Sequence, residues 1–418
     1  MREEIKERIE MINKGMVPQG YKKTKLGIVP KDWEVLRIKD CLERVDNAVA
    51  VDEKEEYVQI GIRSHGKGIF YKEPVTGKEL GNKRVFWIEP NCFIVNIVFA
   101  WERAISKTTD DEMGMIASHR FPMYKPINDK VDVDYLVQYF LTQKGKDVME
   151  YASPGGAGRN RTLGQERFMN SYINCPNIIE QKNIARIIIC FNNFIFIQEN
   201  YIQEKKQCLR YLSQNLLTGK KRLSEYNGKW ENMKLSKILN EIDKRTNAHG
   251  EHEVLTSSRK GLCFQSEYFK KNVSSEDNKG YKIISKGEFT YRAMSDDGRY
   301  TFNRLNICEK GIVSPAYTVF KINSLFADSN FIYYMMNDYS FSKYLKVLQQ
   351  GGTRQSLNFG KLCGIEVKVP EIDEQKAIAK ILSKADEEIE LLEKQLEQIK
   401  LEKKAIMQLL LSGIVRVN

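Results

Sequence analysis

Two short runs in this chain carry residue types that could hold a metal ion or cut a phosphodiester. His249-Gly-Glu-His252 offers two imidazoles three positions apart. Metal sites use such pairs, but with further ligands. None follows in the sequence, so an exposed polar turn is the alternative reading. Asp373-Glu374-Gln375-Lys376 has the acids and the lysine of a nuclease D…E-x-K cluster. The chain supplies its own control here, because it repeats itself: Glu180-Gln181-Lys182 stands at the equivalent place, with Ile179 where Asp373 would be. A run kept without its metal-binding carboxylate predicts a helix start or a partner contact. The sequence has no G-x-x-x-x-G-K-[ST] phosphate loop and no N-P-P-[YF] or D-P-P-[YF] tetrapeptide. We therefore expect no catalytic residue and no metal ligand, and a chain that is not itself an enzyme.

A second set of side chains suits the reading of nucleic acid. In the first half, Arg63, His65, Lys67, Arg84, Trp101, Arg103, His119, Arg120, Arg159 and Arg161 fall in expected loops. In the second half, Arg259, Lys260, Tyr291, Arg292, Arg299, Tyr317, Arg354 and Gln355 do so. Arginine makes bidentate contacts to guanine, glutamine to adenine, and lysine mainly holds phosphates. For any one of them a solvated surface charge is the competing reading. Arg63 and Arg259 occupy matching positions, and Gly-rich loops at 155–161 and 351–355 each carry an arginine. Glycine there would let backbone approach phosphate, with the arginine completing the clamp.

Bulk composition agrees with this reading. The net charge is +11 over 418 residues, which favours a polyanionic partner, nucleic acid first, although a merely basic soluble protein would also fit. Eight scattered cysteines form no C-x-x-C pair, which fits a reducing cytoplasm rather than a zinc site or a disulfide framework. The opening residues MREEIKERIEMINKG have no apolar signal core. No run of about 18 apolar residues occurs, so no membrane span is expected.

The repeat itself organises everything else. Trp33 and Trp230 stand 197 apart, and an offset of 196 pairs Arg63 with Arg259, Phe93 with Phe289, Lys125 with Lys321 and Gly155-Gly156 with Gly351-Gly352. After a two-residue change the offset is 194 with no further gap. Pro176 then meets Pro370, Glu180-Gln181-Lys182 meets Glu374-Gln375-Lys376, Leu216-Leu217-x-Gly219 meets Leu410-Leu411-x-Gly413, and Arg222 meets Arg416. The front part of each copy diverges and the back part matches. One scaffold carrying two different reading heads would look like this.

Short apolar runs punctuated by Gly and Asn/Asp, such as CFIVNIVFA and GIVSPAYTVFKI, predict strands and turns in each head. DYLVQYFLTQKGKDVMEYA and NFIYYMMNDYSFSKYLKVL predict closing helices, so each head is expected to be α+β. Beyond Pro370, Ile378, Ala385, Leu392, Ile399 and Ile406 recur every seven residues beside Leu382, Ile389, Leu396, Lys403 and Leu410. The first copy keeps the seam with polar Gln198 and Lys205 in its middle, and its Phe194, Phe196 and Ile197 suggest a second contact face. Each helix should run about 39 residues, or roughly 58 Å. If the two pair side by side, connectivity makes them an antiparallel coiled coil with pseudo-two-fold symmetry. The expected division is a helical segment 1–20, a recognition domain 21–175, a central helix 176–220, a second recognition domain 221–369 and a C-terminal helix 370–418.

In YKKTKLGIVPKDWEV, in the PxxxEQKxIAxI-like segments at 176–187 and 370–381, and in the LLxG ends, the chain resembles the specificity subunits of type I restriction-modification enzymes. VFAWERAISK with SHRFPMYKP, and TSSRKG with GIVSPAYTVFKI, look like two varieties of target-recognition domain. The resemblance covers essentially the whole chain. It implies that each head recognises one half of a bipartite double-stranded DNA target while the helices act as a ruler. It further implies two modification subunits, which carry S-adenosylmethionine and methylate adenine, and two restriction subunits using ATP and Mg; no cofactor would belong to this chain. Heads some 40–60 Å apart would engage half-sites roughly 12–17 base pairs apart. The rival reading is a non-catalytic coiled-coil scaffold with two protein-binding heads.

Overall fold

In a computed structural model the described residues are 3–156, 161–259, 261–268, 277–295, 298–348 and 355–417, with backbone only for 347, 348 and 355. The chain forms two compact units, Met1–Ile197 together with Leu396–Asn418, and Gln198–Gln395. Each unit contains one α+β head and parts of both long helices.

The duplication read from the sequence is a duplication of topology. Head one has a four-stranded antiparallel sheet in the order Ile105–Lys107, Phe93–Val95, Met123–Pro126, Leu42–Val45. Head two has Asn303–Arg304, Phe289–Arg292, Tyr317–Ile322, Leu239–Ile242 in the same order. A separate two-stranded ribbon pairs Glu34–Arg37 with Tyr172–Cys175, and its counterpart pairs Glu231–Lys234 with Glu366–Val369. Helix pairs Val133–Leu141 with Gln143–Ala152, and Ser329–Asn337 with Tyr339–Leu348, cover the sheets. Aromatic residues fill the cores. Trp33, Phe93, Tyr124, Phe140 and Phe168 are fully buried in one, and Phe289, Tyr291, Phe302, Phe320 and Phe331 in the other.

The predicted long helices are present as Ile178–Leu216, 39 residues, and Ile372–Leu411, 40 residues. Asn177 caps the first by accepting from the Glu180 backbone N–H at 2.9 Å. In the first unit Ile184 and Ile188 share a core with Leu410 and Leu411. In the second, Leu216 and Leu217 share a core with Ile378 and Leu382, and ion pairs Lys205–Glu388 (2.7 Å) and Lys206–Glu393 (2.6 Å) link the helices. Residue numbers rise along one helix as they fall along the other, so within this unit they run antiparallel. The seam row Leu382, Ile389, Leu396 and Leu410 is buried, whereas Phe194, Phe196 and Ile197 are exposed.

Both LLxG ends stop their helix in the same way. Lys221 N donates to Asn215 O at 3.1 Å and Val415 N to Leu409 O at 3.1 Å, with Gly219 at φ +69° and Gly413 at φ +72°. A Cβ on Gly219 would meet Trp230 at an ordinary 3.4 Å, but one on Gly413 would lie 2.5 Å from Pro30 Cδ. Gly219→Ala should therefore cost about 1 kcal/mol from the left-handed backbone alone, and Gly413→Ala about 2–3 kcal/mol. Equilibrium denaturation of the two variants checks the difference, and equal costs would contradict it.

Candidate nucleic-acid interface

The matched scaffold motifs have one structural job, done twice. Gln181 accepts from the Asp132 N–H (2.9 Å) and donates to the carbonyls of Lys130 (3.0 Å) and Pro176 (2.9 Å). Gln375 accepts from the Asp328 N–H (2.8 Å) and donates to Pro370 O (2.8 Å) and Phe326 O (3.5 Å). Asp132 and Asp328 are the N-caps of the head helices. One glutamine thus ties each long helix to the cap of its own head.

The neighbouring glutamates are buried ionic latches. Glu180 accepts from Arg416 Nε (2.6 Å) and Nη2 (2.8 Å) and from Trp33 Nε1 (3.2 Å). Glu374 accepts from Arg222 Nε and Nη2, both at 2.7 Å. Arg222 and Arg416, matched in sequence, each follow an LLxG end. Arg416 also holds Asp32 (2.6 and 2.9 Å), where the second copy has Lys229. Its bonds to Glu180 and then Asp32 push the Arg416 pKa up, and the Arg416 hydrogen bond holds the Asp32 carboxyl below its ordinary 3.8. The nuclease-like run is therefore a helix start closed by an arginine. His249, the other metal-like residue, accepts the Asn278 N–H through Nδ1 at 3.2 Å. Burial pushes the thiol pKa of Cys41 up to about 12 and of Cys92 to about 11, so both stay protonated.

Head one brings most of its expected readers onto adjoining turns. The hairpin Ile60–Ile62/Ile69–Tyr71 turns through His65 (φ 63°), Gly66 and Gly68, all left-handed. His65 N donates to Glu102 O (2.9 Å), Gly66 N to Arg103 O (3.0 Å) and Ser64 Oγ to Glu102 Oε2 (2.8 Å). That seats the turn on the short helix Ala100–Glu102. Arg63, His65 and Lys67 are exposed. Arg63 lies 4.8 Å from the Phe70 ring and donates to Ile69 O. Arg161 sits over Trp101 at 5.6 Å, and Leu163 N bonds Ile97 O (2.8 Å) beside the Ile97 N to Arg120 O bond (3.0 Å). His119 is exposed next to Arg120, its N–H on Arg84 O (3.1 Å).

Two head-one readers do structural work. Arg103, half-buried at φ 61°, donates to Leu141 O at 2.9 Å and fastens the turn to the helix end. Trp101 is half-buried and donates to Val98 O, leaving its ring as a stacking surface for Arg161. Sequence reading missed Ser64 and Glu102, which seat the hairpin turn; they lie 38 residues apart and carry no local pattern.

In head two the hairpin Leu255–Ser258/Gly261–Phe264 presents Arg259, as expected from its match to Arg63. Arg259, Arg292 and Arg299 line a single cavity of about 160 Å³ with Ser257, Ser258, Ser295, Tyr300 and others. The Gln355 strand pairs with this wall, Ser295 opposite Gln355. Tyr291 corrects an expectation. It is fully buried, packs on Phe302 (5.1 Å between ring centres) and donates to Leu357 O at 3.1 Å. Its strand is the centre of the sheet, so alternate residues face core rather than loop. Tyr317 is half-buried against the small apolar cluster that includes Leu255 and Val313, opposite Arg292 in the strand register. Arg159, Lys260 and Arg354 lie outside the described residues.

Comparison with known proteins agrees with this architecture. Residues 227–401 match the family described as "Type I restriction modification DNA specificity domain". The type I restriction enzyme MjaVIII specificity subunit of Methanocaldococcus jannaschii is 27% identical, with 93% of this chain and 94% of that protein covered. The HsdS subunit of Thermoanaerobacter tengcongensis shares the fold at a TM-score of 0.51 and 14% identity, covering 93% of this chain and 98% of that one. The S subunit of a type I system from M. genitalium does so at a TM-score of 0.53 and 11% identity, covering 90% and 96%. With the second head inside the matched domain, the first head its topological duplicate, and relatives of one kind aligned over nearly their whole length, the chain is similar throughout to the specificity subunits of type I restriction-modification systems.

Proposed function

We propose that each head reads one half of a bipartite double-stranded DNA target for a type I restriction-modification complex. The observation that supports this best is a contrast between the copies. The scaffold contacts of Gln181 and Gln375 are the same in both. The equivalent hairpin turns, by contrast, share an arginine, Arg63 and Arg259, but differ in length, with six residues between Ile62 and Ile69 and two between Ser258 and Gly261. A common frame with unlike reading loops suits two different half-sites. The chain is the recognition subunit, not the catalyst. Adenine methylation with S-adenosylmethionine would fall to two modification subunits, and ATP- and Mg-dependent cleavage to two restriction subunits.

Exposed Phe194, Phe196 and Ile197 on the first long helix supply an apolar surface of the kind a protein partner covers. Among the described residues no helix is long and apolar enough to cross a membrane, and a cytoplasmic complex beside the chromosome completes the reading. Genome-wide methylation mapping, with and without this subunit and its modification partner, tests the proposal. A two-part target with a fixed gap, methylated only when the subunit is present, is the expected result. A short continuous target would overturn it.

A further inference from the structure

We propose that an open cavity on the flank of head one, walled by Lys25, Lys144 and Tyr151, grips a backbone phosphate of the DNA beside the half-site, setting affinity and register without reading a base. The inference rests on the reading of head one as a DNA-binding head. Three separate pieces of chain form the walls. The turn between strands Tyr21–Thr24 and Gly27–Pro30 brings Lys25, helix Gln143–Ala152 brings Lys144, Asp147 and Tyr151, and the ribbon strand Tyr172–Cys175 brings Tyr172. The space is about 550 Å³, and every residue named lies in the first unit. It adjoins the reading turn. Arg103 fastens that turn to Leu141 O, a Cβ on Gly66 would lie 2.5 Å from Leu141 Cδ2, and Lys144 follows in the first turn of the next helix.

The lining matches the groups that hold DNA phosphates: lysine, tyrosine, asparagine (Asn170) and a helix N-terminus. Lys25 already has a partner, the Tyr172 ring, but that partner is neutral and does not cancel the ammonium charge. The Lys25 hydrogen bond, and then the charge of Arg37 opposite in the ribbon, hold the Tyr172 pKa below its ordinary 10.0, so the field at this wall is positive. Desolvation alone lowers the Lys144 pKa, although its side chain reaches solvent, and an anion in the cavity would reverse that cost. Asp147 also lines the cavity and accepts from Gln143 Nε2 at 2.7 Å. Tyr151 is 75% exposed, so core packing does not account for it. The duplicate supplies a control. A cavity of about 300 Å³ opens at the matching place in head two, where Met335, Ser340 and Glu366 stand for Tyr139, Lys144 and Tyr172. The fold makes the cavity twice and a serine serves at the position of Lys144, so packing does not call for the lysine.

The test measures binding of the full chain, with its modification partner, to a duplex carrying the mapped target. The same duplex is then used with single phosphates on the head-one side replaced by neutral methylphosphonates. Lys144 is exposed in the first turn of its helix, so Lys144→Ala leaves the core intact; Lys144→Arg keeps the charge, and thermal unfolding checks the fold of both. Lys144→Ala should weaken binding about fivefold and make the log–log salt slope shallower by about 0.9, with the methylated sequence unchanged. Lys144→Arg should keep most of both. The exposed Lys54→Ala serves as a control for simple charge loss. One methylphosphonate position should weaken the unaltered chain about as much, and cost the Lys144→Ala chain nothing further. Losses that add at every position would show that no single phosphate meets the lysine and overturn the inference. So would a Lys144→Ala chain indistinguishable from Lys54→Ala, or an altered base in the methylated sequence. Loss of the modification partner with DNA binding unchanged would make the cavity a protein-docking site and overturn it too. Failure of the unaltered chain to bind the target duplex would overturn the DNA reading of the head and this inference together.

Discussion

Arg416→Ala lowers the unfolding free energy by about 3 kcal/mol, and combining it with Glu180→Leu restores most of that loss. The glutamate is 2% exposed and its carboxylate has three donors, two of them on Arg416. Removing the guanidinium leaves a buried carboxylate with only the Trp33 indole N–H. The penalty of an unpaired buried charge is what the measurement reads, not the intrinsic strength of an ion pair. Replacing the acid as well by an apolar side chain removes the stranded charge, which is why the double variant recovers. Arg416 is itself 31% exposed and also holds Asp32, so the figure belongs at the low end of the range for buried pairs. Equilibrium denaturation of the two single variants and the double variant closes the cycle. A single Arg416→Ala effect within about 0.5 kcal/mol would place the pair among ordinary surface bridges.

On the proposed function, exchange of residues 33–175 for the corresponding segment of a type I specificity subunit should change one half of the methylated target and leave the other half unaltered. The expectation follows from where the contacts close. The first reading turn is seated by Glu102 and Arg103 of its own head, and the second is backed by Asn303 of its own head. What the exchanged segment must retain is equally definite. It needs a tryptophan at Trp33 to donate to Glu180, and a backbone at Lys130–Asp132 shaped to meet Gln181. Methylation mapping of the exchanged chain reads the outcome directly. Alteration of both halves would end the modular account; loss of all methylation with a chain that still folds would show that the segment also carries the partner contact.

Repetition made much of this legible beforehand. Comparing Ile179 with Asp373 dismissed a nuclease site, because a metal cluster cannot survive loss of its carboxylate while a helix start can. The structure put both glutamates in the first turn of a long helix and added a role the local sequence could not supply, since Arg416 is 236 residues from Glu180. The seven-residue spacing likewise gave the length of both long helices, expected at about 39 residues and observed at 39 and 40. Tyr291 shows the limit. A basic-aromatic pair, Tyr291-Arg292, reads as an exposed loop, yet the strand is central, so the ring enters the core and the guanidinium leaves it.

The sequence by itself determined the duplication, the long helices, the unlike heads and the absence of familiar catalytic motifs. These depend on periodicity and register, which are properties of residues near one another or at one fixed offset. Only the tertiary structure decided which charged residues act together. The Arg416–Glu180 latch, the Ser64–Glu102 seat and the convergence of Arg259, Arg292 and Arg299 join segments with no common spacing. Chain direction and strand pairing bring them together, and no local pattern records that.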